Sequence, residues 1–397
     1  MIAVIVQNRT AGYSNWGERL RGAFLVTFPA LLLCLALDFV GGGVLGKNFD
    51  KIVTHYPLLL VILPGMMDLR GNVFGSMASR LTTALYLGKV RGIRDPEVTT
   101  NITLAITSSS IPLMILWVAG VLQLGFSHSA IVVLAIVVSS ALFIGILLGY
   151  STAFITVIPY RHSVDPDTIA APLITSVADV ITIPSLVYMI FFYEKHPGEF
   201  YTFTALMLAL FGILILRSRF TGEYRKSFRE IALVLTLLAI MEIFSGSTLE
   251  YYSKVISRVI ILSIMYPSIL DSVGNFSSIV AATTSTRLNL AGPSELRDKN
   301  FVADIGTILL LSPVIGILTN LIAVYVSHFV GLYGDVIWAF VITYPLLVIV
   351  NALIGIGVAY IAYTHSIDPD NVAIPTVTTI SDVLGTLYVV LLAGTLA

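Results

Sequence analysis

Eleven stretches of the chain stay apolar for long enough to cross a bilayer: 22–46, 53–86, 101–125, 129–158, 166–193, 200–216, 228–249, 255–287, 301–329, 335–361 and 371–394. A helix through the ~30 Å hydrocarbon core needs about 20 mostly apolar residues. Closed barrels are the other way to span a membrane, and they require short strands that alternate apolar and polar positions. Runs such as Ile131–Val138 do not alternate. The pattern predicts an all-α polytopic membrane protein with eleven transmembrane helices.

Composition narrows the class. Of 397 residues, 57% are apolar and 11% charged, against about 25% charged in a typical soluble domain. Disorder needs the opposite balance. The net charge of −1 points to neither nucleic acid nor an anionic surface. A lone cysteine, Cys34, rules out an internal disulfide or a cysteine metal cluster, and the six histidines are scattered. No Gly-x-x-x-x-Gly-Lys-Ser/Thr occurs, so ATP drive within the chain is not expected. Met1–Val6 carries no basic residue and is followed by Gln7, Asn8 and Arg9, so no cleavable signal peptide is expected.

Lysines and arginines outside the stretches set the orientation. Fifteen fall on the side of the N-terminus, among them Arg91, Arg161 and Arg225, and five on the other: Lys47, Lys51, Lys195, Lys254 and Arg258. The expected topology has a cytoplasmic N-terminus and an extracellular C-terminus in the plasma membrane. A ten-span count would destroy the asymmetry.

The chain also repeats itself at a shift of 203 residues. Pro64, Asp68, Gly71 and Asn72 recur as Pro267, Asp271, Gly274 and Asn275. Tyr160, His162, Asp165-Pro-Asp167, Pro172, Thr175 and Asp179 recur as Tyr363, His365, Asp368-Pro-Asp370, Pro375, Thr378 and Asp382. Between 160 and 180, eleven of 21 positions are identical at this shift. The identities are Asp, Pro, His and Asn, which a shared apolar bias would not produce. The expected organisation is a five-helix repeat over 1–193, a linker helix within 194–222 and a second five-helix repeat over 223–397. An odd linker makes the repeats parallel, related by a pseudo-twofold axis along the membrane normal.

Ionisable residues inside a membrane cost about 2.5–3.5 kcal/mol each on insertion scales and mark a pathway. Asp179 and Asp382 sit well inside the fifth and eleventh stretches. Thr175 and Thr378 precede them by four residues on the same helical face. Asp68 with Asn72, and Asp271 with Asn275, form i,i+4 pairs beside Gly71 and Gly274. These glycines permit close backbone approach or unwinding, and Pro64 and Pro267 suggest broken helices. Pro172 and Pro375 are expected to bend their helices and free a carbonyl. The bland alternatives are a local Asp–Thr bond and a packing motif with a buried amide. Asp165 and Asp368 suit helix N-caps with Pro166 and Pro369 at N1, or else an acidic vestibule. Asp38 and Glu242 lie near the outer ends of the first and seventh stretches, missing the common register by one, either to attract cations or merely at the interface. The donor set is oxygen throughout, which suits partly hydrated magnesium.

These residues carry a resemblance. Pro64 through Gly88, with Gly71-Asn72 and Ala78–Thr83, is similar to the second-helix motif of MgtE-type magnesium transporters, especially solute carrier family 41. Asp165–Asp179 and Asp368–Asp382 resemble that family's last-helix motif. The resemblance implies a divalent-cation path along the pseudo-twofold axis, with Asp179 and Asp382 binding the ion and the two Gly-Asn motifs lining the way. It also sets out departures. Bacterial relatives carry cytosolic sensor domains for which this chain has no room. Phe74 stands where the animal branch often has Glu, and Asp68 and Asp271 stand where Gly is common, an added acidic pair that would supply a second metal-ion site or replace the missing Glu.

The expected function is a divalent-cation channel or transporter in the lipid bilayer, with Mg2+ the favoured ion, and not an enzyme. A single chain is expected to build the whole path, with or without dimerisation. A sodium- or proton-coupled exporter is the transport alternative. An intramembrane aspartyl protease is the remote one: it needs two acids, but neither paired Gly-Asn motifs nor symmetric threonines.

Overall fold

The computed structural model describes residues 17, 23–161, 170–218, 222–365 and 369–396. Among these the chain is helical, with no strand. The helices are α1 (Phe28–His55), α2 (Pro57–Tyr86), α3 (Pro96–Leu124), α4 (His128–Arg161), α5 (Ala170–Lys195), α6 (Pro197–Arg217) and α7 (Gly222–Tyr251). They continue as the short α8 (Ser253–Arg258), α9 (Ile260–Ala291), α10 (Lys299–Leu309), α11 (Ser312–Phe329), α12 (Trp338–Thr364) and α13 (Pro369–Leu396).

Nine spans among the described residues are long and apolar enough to cross a membrane: α1, α2, α3, α4, α6, α7, α10 with α11, α12 and the stretch Ala373–Leu396 of α13. Helices α5 and α9 are not among the nine, although their 26 and 32 residues would reach across at 1.5 Å each. In α9 the cause is Asp271, Asn275 and a row of serines and threonines. Most of those hydroxyls are satisfied within the helix, where Ser263, Ser272, Ser277, Thr283 and Thr284 bond carbonyls three or four residues back.

The prolines do not break the helices. Pro64 lies inside a continuous α2, Pro267 inside a continuous α9 and Pro375 inside α13. Neighbouring helices can accommodate a proline in a membrane helix without unwinding it. Two expected spans do divide: 255–287 between α8 and α9 at Val259, and 301–329 between α10 and α11 ahead of Pro313. Helix α1 extends nine residues past its expected end at 46, which carries Asp38 into its interior.

The chain forms two compact units, one contiguous and one assembled from two segments. One comprises Met1–Lys47 with Tyr252–Ala397, the other Asn48–Tyr251. In the first, α9 packs on α11, α12 and α13. Gly42 and Gly46 of α1 lie against Ile264 of α9, and Gly43 against Val326 of α11. In the second, α2 packs on α3, α4, α5 and α7. Gly246 of α7 lies directly on the backbone of Val61 in α2. Helix α6 packs on α3, α4 and α5 and is otherwise largely exposed, as a lipid-facing helix would be.

Each unit ties the end of its central helix to the next helix through an arginine. In one, Arg287 Nη2 of α9 meets Asp304 Oδ2 of α10 at 2.9 Å, with the Asp304 side chain only 6% exposed. In the other, Arg80 of α2 donates to Asn101 Oδ1 of α3 at 3.2 Å and to Ser76 Oγ at 2.6 Å. Asn101 also donates to Tyr224 of α7, whose hydroxyl bonds Glu97. Removing one partner of a buried ion pair leaves an uncompensated charge, at about 3–5 kcal/mol. Arg287→Met is therefore expected to destabilise the protein by about 3 kcal/mol. Asp304→Asn should cost less, because the amide keeps an acceptor for the guanidinium, as Asn101 does for Arg80. Thermal unfolding in detergent checks the ranking.

Candidate cation site

The residues singled out in the repeated motifs meet within each unit. In the unit of Asn48–Tyr251, a Cβ built on Gly71 of α2 would lie 3.3 Å from Thr175 Cγ2 of α5. In the other, a Cβ built on Gly274 of α9 would lie 3.9 Å from Thr378 Cγ2 and from Ser381 Cβ of α13. The second-helix glycine thus faces the last-helix threonine at both places. A methyl at Gly71 would require Thr175 to give by a few tenths of an ångström, whereas one at Gly274 would make ordinary van der Waals contact.

The Thr378 hydroxyl donates to Pro375 O at 2.9 Å, and the Thr379 hydroxyl donates to the same oxygen at 3.0 Å. With its proton turned back into the helix, Thr378 presents oxygen lone pairs outward. Asp382 follows one turn later, half-buried on the same face. Asp179 occupies the corresponding place in α5, with its side chain outside the described residues. His162, Asp165, Pro166, Asp167 and Asp368 also fall outside them. Pro369 is the first residue of α13, and His365 is exposed, its Nδ1 2.9 Å from Ile361 O.

The second-helix acids are not alone. Asn275 Nδ2 donates to Asp271 Oδ2 at 2.6 Å, and Asp38 of α1 lies near Asp271. In the other unit Glu242 of α7 faces Asp68 of α2. Asp38 and Glu242, read from the sequence as residues near the outer ends of their spans, are 1% and 0% exposed. The one-residue mismatch in their register has a structural explanation. Each acid precedes by four residues the glycine, Gly42 or Gly246, that packs on the backbone of Ile264 or Val61. Those two residues are themselves related by the common shift. The first helices are thus offset by one residue more than the rest.

Two buried tyrosines in the unit of Asp271 escaped the sequence. Tyr344 of α12 donates its hydroxyl to Ser272 Oγ at 2.8 Å, and Tyr266 pairs with Thr386 at 2.9 Å. Residue 141, one shift before Tyr344, is an alanine, so the repeat gave no signal for it. Among the described residues no group of three or more His, Cys, Asp and Glu comes together.

A family model described as MgtE, divalent cation transporter, matches residues 63–189 and again residues 266–392. The chain belongs to the MgtE family. The two matches carry the same offset as the internal repeat and start just before Pro64 and Pro267. Members of this family are transporters, not enzymes. Among curated proteins, the chain is 24% identical to mouse "Solute carrier family 41 member 3" over 91% of this chain and 80% of the relative. It is 24% identical to the rat protein of that name over 84% and 80%. It is 23% identical to mouse "Solute carrier family 41 member 2" over 91% of this chain and 67% of the relative. No solved structure matches the chain.

Proposed function

We propose that this MgtE-family protein moves divalent cations, chiefly Mg2+, across the plasma membrane along a path between two parallel five-helix repeats, 1–193 and 223–397, joined by α6 within 194–222. In this reading α5 and α9 complete eleven spans, with the N-terminus cytoplasmic. Asp179 and Asp382 form one shared cation site near the pseudo-twofold axis. Thr175, Thr378 and the Gly71-Asn72 and Gly274-Asn275 motifs line the approach. A single chain suffices.

One observation carries the reading. The family model matches the chain twice, and in each compact unit the second-helix glycine of the motif lies against the last-helix threonine. A site built from two such copies has two carboxylates and several hydroxyl and amide oxygens. Magnesium takes that chemistry well, since it keeps part of its water and binds through one or two carboxylates.

No coupling ion is required for uptake. An inside-negative potential drives a divalent ion inward by about 4.6 kcal/mol per 100 mV, twice the ~2.3 kcal/mol per charge. That supports an equilibrium gradient on the order of a thousandfold. Purified protein in liposomes is expected to admit Mg2+ with no sodium or proton gradient, at a rate that follows an imposed potential. Strict dependence of flux on a sodium or proton gradient would favour the exporter and overturn this driving force.

A further inference from the structure

Two pairs of acids remain outside the shared site, each joining a buried first-helix acid to a half-buried second-helix one. Asp38 of α1, four residues before the Gly42 crossing on α9, lies near Asp271 of that helix, and Asn275 donates to Asp271. Glu242 of α7 faces Asp68 of α2, one turn from Asn72. Glu242 is wholly buried, and neither of its carboxylate oxygens meets a hydrogen-bond donor among the described residues. The Ser245 hydroxyl three residues on is its neighbour, and that oxygen also lacks a hydrogen-bond partner. The position of Glu242 is fixed by packing: a Cβ built on Gly65 of α2 would lie 2.9 Å from Glu242 Cβ. The acid is thus held against the second helix at Gly65, one turn before Asp68.

We infer that each compact unit holds a further divalent-cation site, formed by Asp38, Asp271 and Asn275 in one unit and by Glu242, Asp68 and Asn72 in the other. Two carboxylates side by side in a low-dielectric interior repel strongly. A divalent ion between them cancels their charge. One amide and the remaining waters fill out the oxygen shell of an ion that is commonly held by one or two carboxylates. The arrangement occurs twice, each time with a first-helix acid four residues before the glycine that fixes the helix crossing. Those acids reach their partners because α1 packs within the unit of residues 252–397 and α7 within that of residues 48–251. Either acid pair therefore joins residues from both sequence halves. The inference goes beyond the proposed path, with which it shares Asn72, Asn275 and the reading of the chain as a divalent-cation protein.

Counting bound Mn2+ on the purified full-length chain tests it, with free Mn2+ followed by electron paramagnetic resonance. Saturated wild-type protein is expected to bind three Mn2+ per chain. Glu242→Gln should lose one, and Asp38→Asn with Glu242→Gln should lose two. Asp179→Asn with Asp382→Asn should lose only the third. If the shared site is wrong, the wild type binds two, and the acid-pair variants still remove one each. If the acid pairs instead share protons, those variants leave the count unchanged and the inference falls. Should Glu242→Gln fail to fold, anomalous scattering from Mn2+-soaked wild-type crystals decides, and no peak between Glu242 and Asp68 overturns it.

Discussion

Asp382→Asn is expected to remove most magnesium flux, Asp179→Asn to do the same, and the double variant to be little worse. With both carboxylates in place, a partly dehydrated divalent ion is neutralised where attraction is strong. Replacing one acid leaves the ion with net charge and removes a charge-assisted contact worth about 1.5–3 kcal/mol. At about 1.4 kcal/mol per decade this is a loss of roughly ten- to a hundredfold in occupancy. The second substitution removes a partner from a site already unable to hold the ion, so its added effect is small. Asp165→Asn and Asp368→Asn serve as comparisons, since Asn caps a helix as well as Asp does, and flux should fall little. The measurement is Mg2+ flux from equal amounts of folded, reconstituted protein. Near-normal flux in either single variant would refute the shared site. Independent multiplicative losses would instead indicate two separate sites.

The sequence made the helical class and the family legible because both rest on local signals. Apolar length marks a membrane helix whatever it packs against. The motif residues kept their spacing through both copies, so Gly71 with Thr175 and Gly274 with Thr378 could be singled out before any contact was known. Pairing them needed the structure, because contact between the second and last helices of a repeat is a tertiary fact. Proline was misleading for the same reason. Its local chemistry argues for a break, but α2 and α9 run straight through Pro64 and Pro267 because neighbouring helices hold them.

The place of Asp38 and Glu242 was legible only in part. Their near-equivalence was visible, but it missed the common register by one, and a one-residue offset argues against equivalence in sequence terms. In the structure the offset disappears into the first helices, where each acid is set by its own glycine crossing. Nor could the linear repeat reveal the composition of the compact units. A boundary drawn by sequence similarity puts residues 1–47 with the first copy, whereas packing puts them with residues 252–397. Similarity records ancestry, and contact records which apolar faces fit.

Gly246→Ala is expected to destabilise the unit of residues 48–251 more than any other single methyl addition in its helices. A Cβ at 246 would collide with the carbonyl oxygen and carbon of Val61 and come within 2.9 Å of its Cα. These are backbone atoms of a buried helix, so no rotamer change relieves the clash. Small residues at helix crossings allow this approach inside membranes, where close packing replaces the hydrophobic drive between helices. Overpacking a close-packed site costs about 1–3 kcal/mol when side chains can yield, and here α7 would have to move as a whole. A loss of about 3 kcal/mol or more is expected, read as a fall in the thermal midpoint in detergent. Gly42→Ala should behave alike, since its Cβ would strike the Ile264 carbonyl. Gly75→Ala, with nothing within 4 Å, should be neutral or slightly stabilising, because alanine favours helix over glycine by about 1 kcal/mol. Equal midpoints for Gly246→Ala and Gly75→Ala would show that the α2–α7 crossing is not held at backbone contact. The position of Glu242 one turn earlier would then lose its support, since the same crossing sets both.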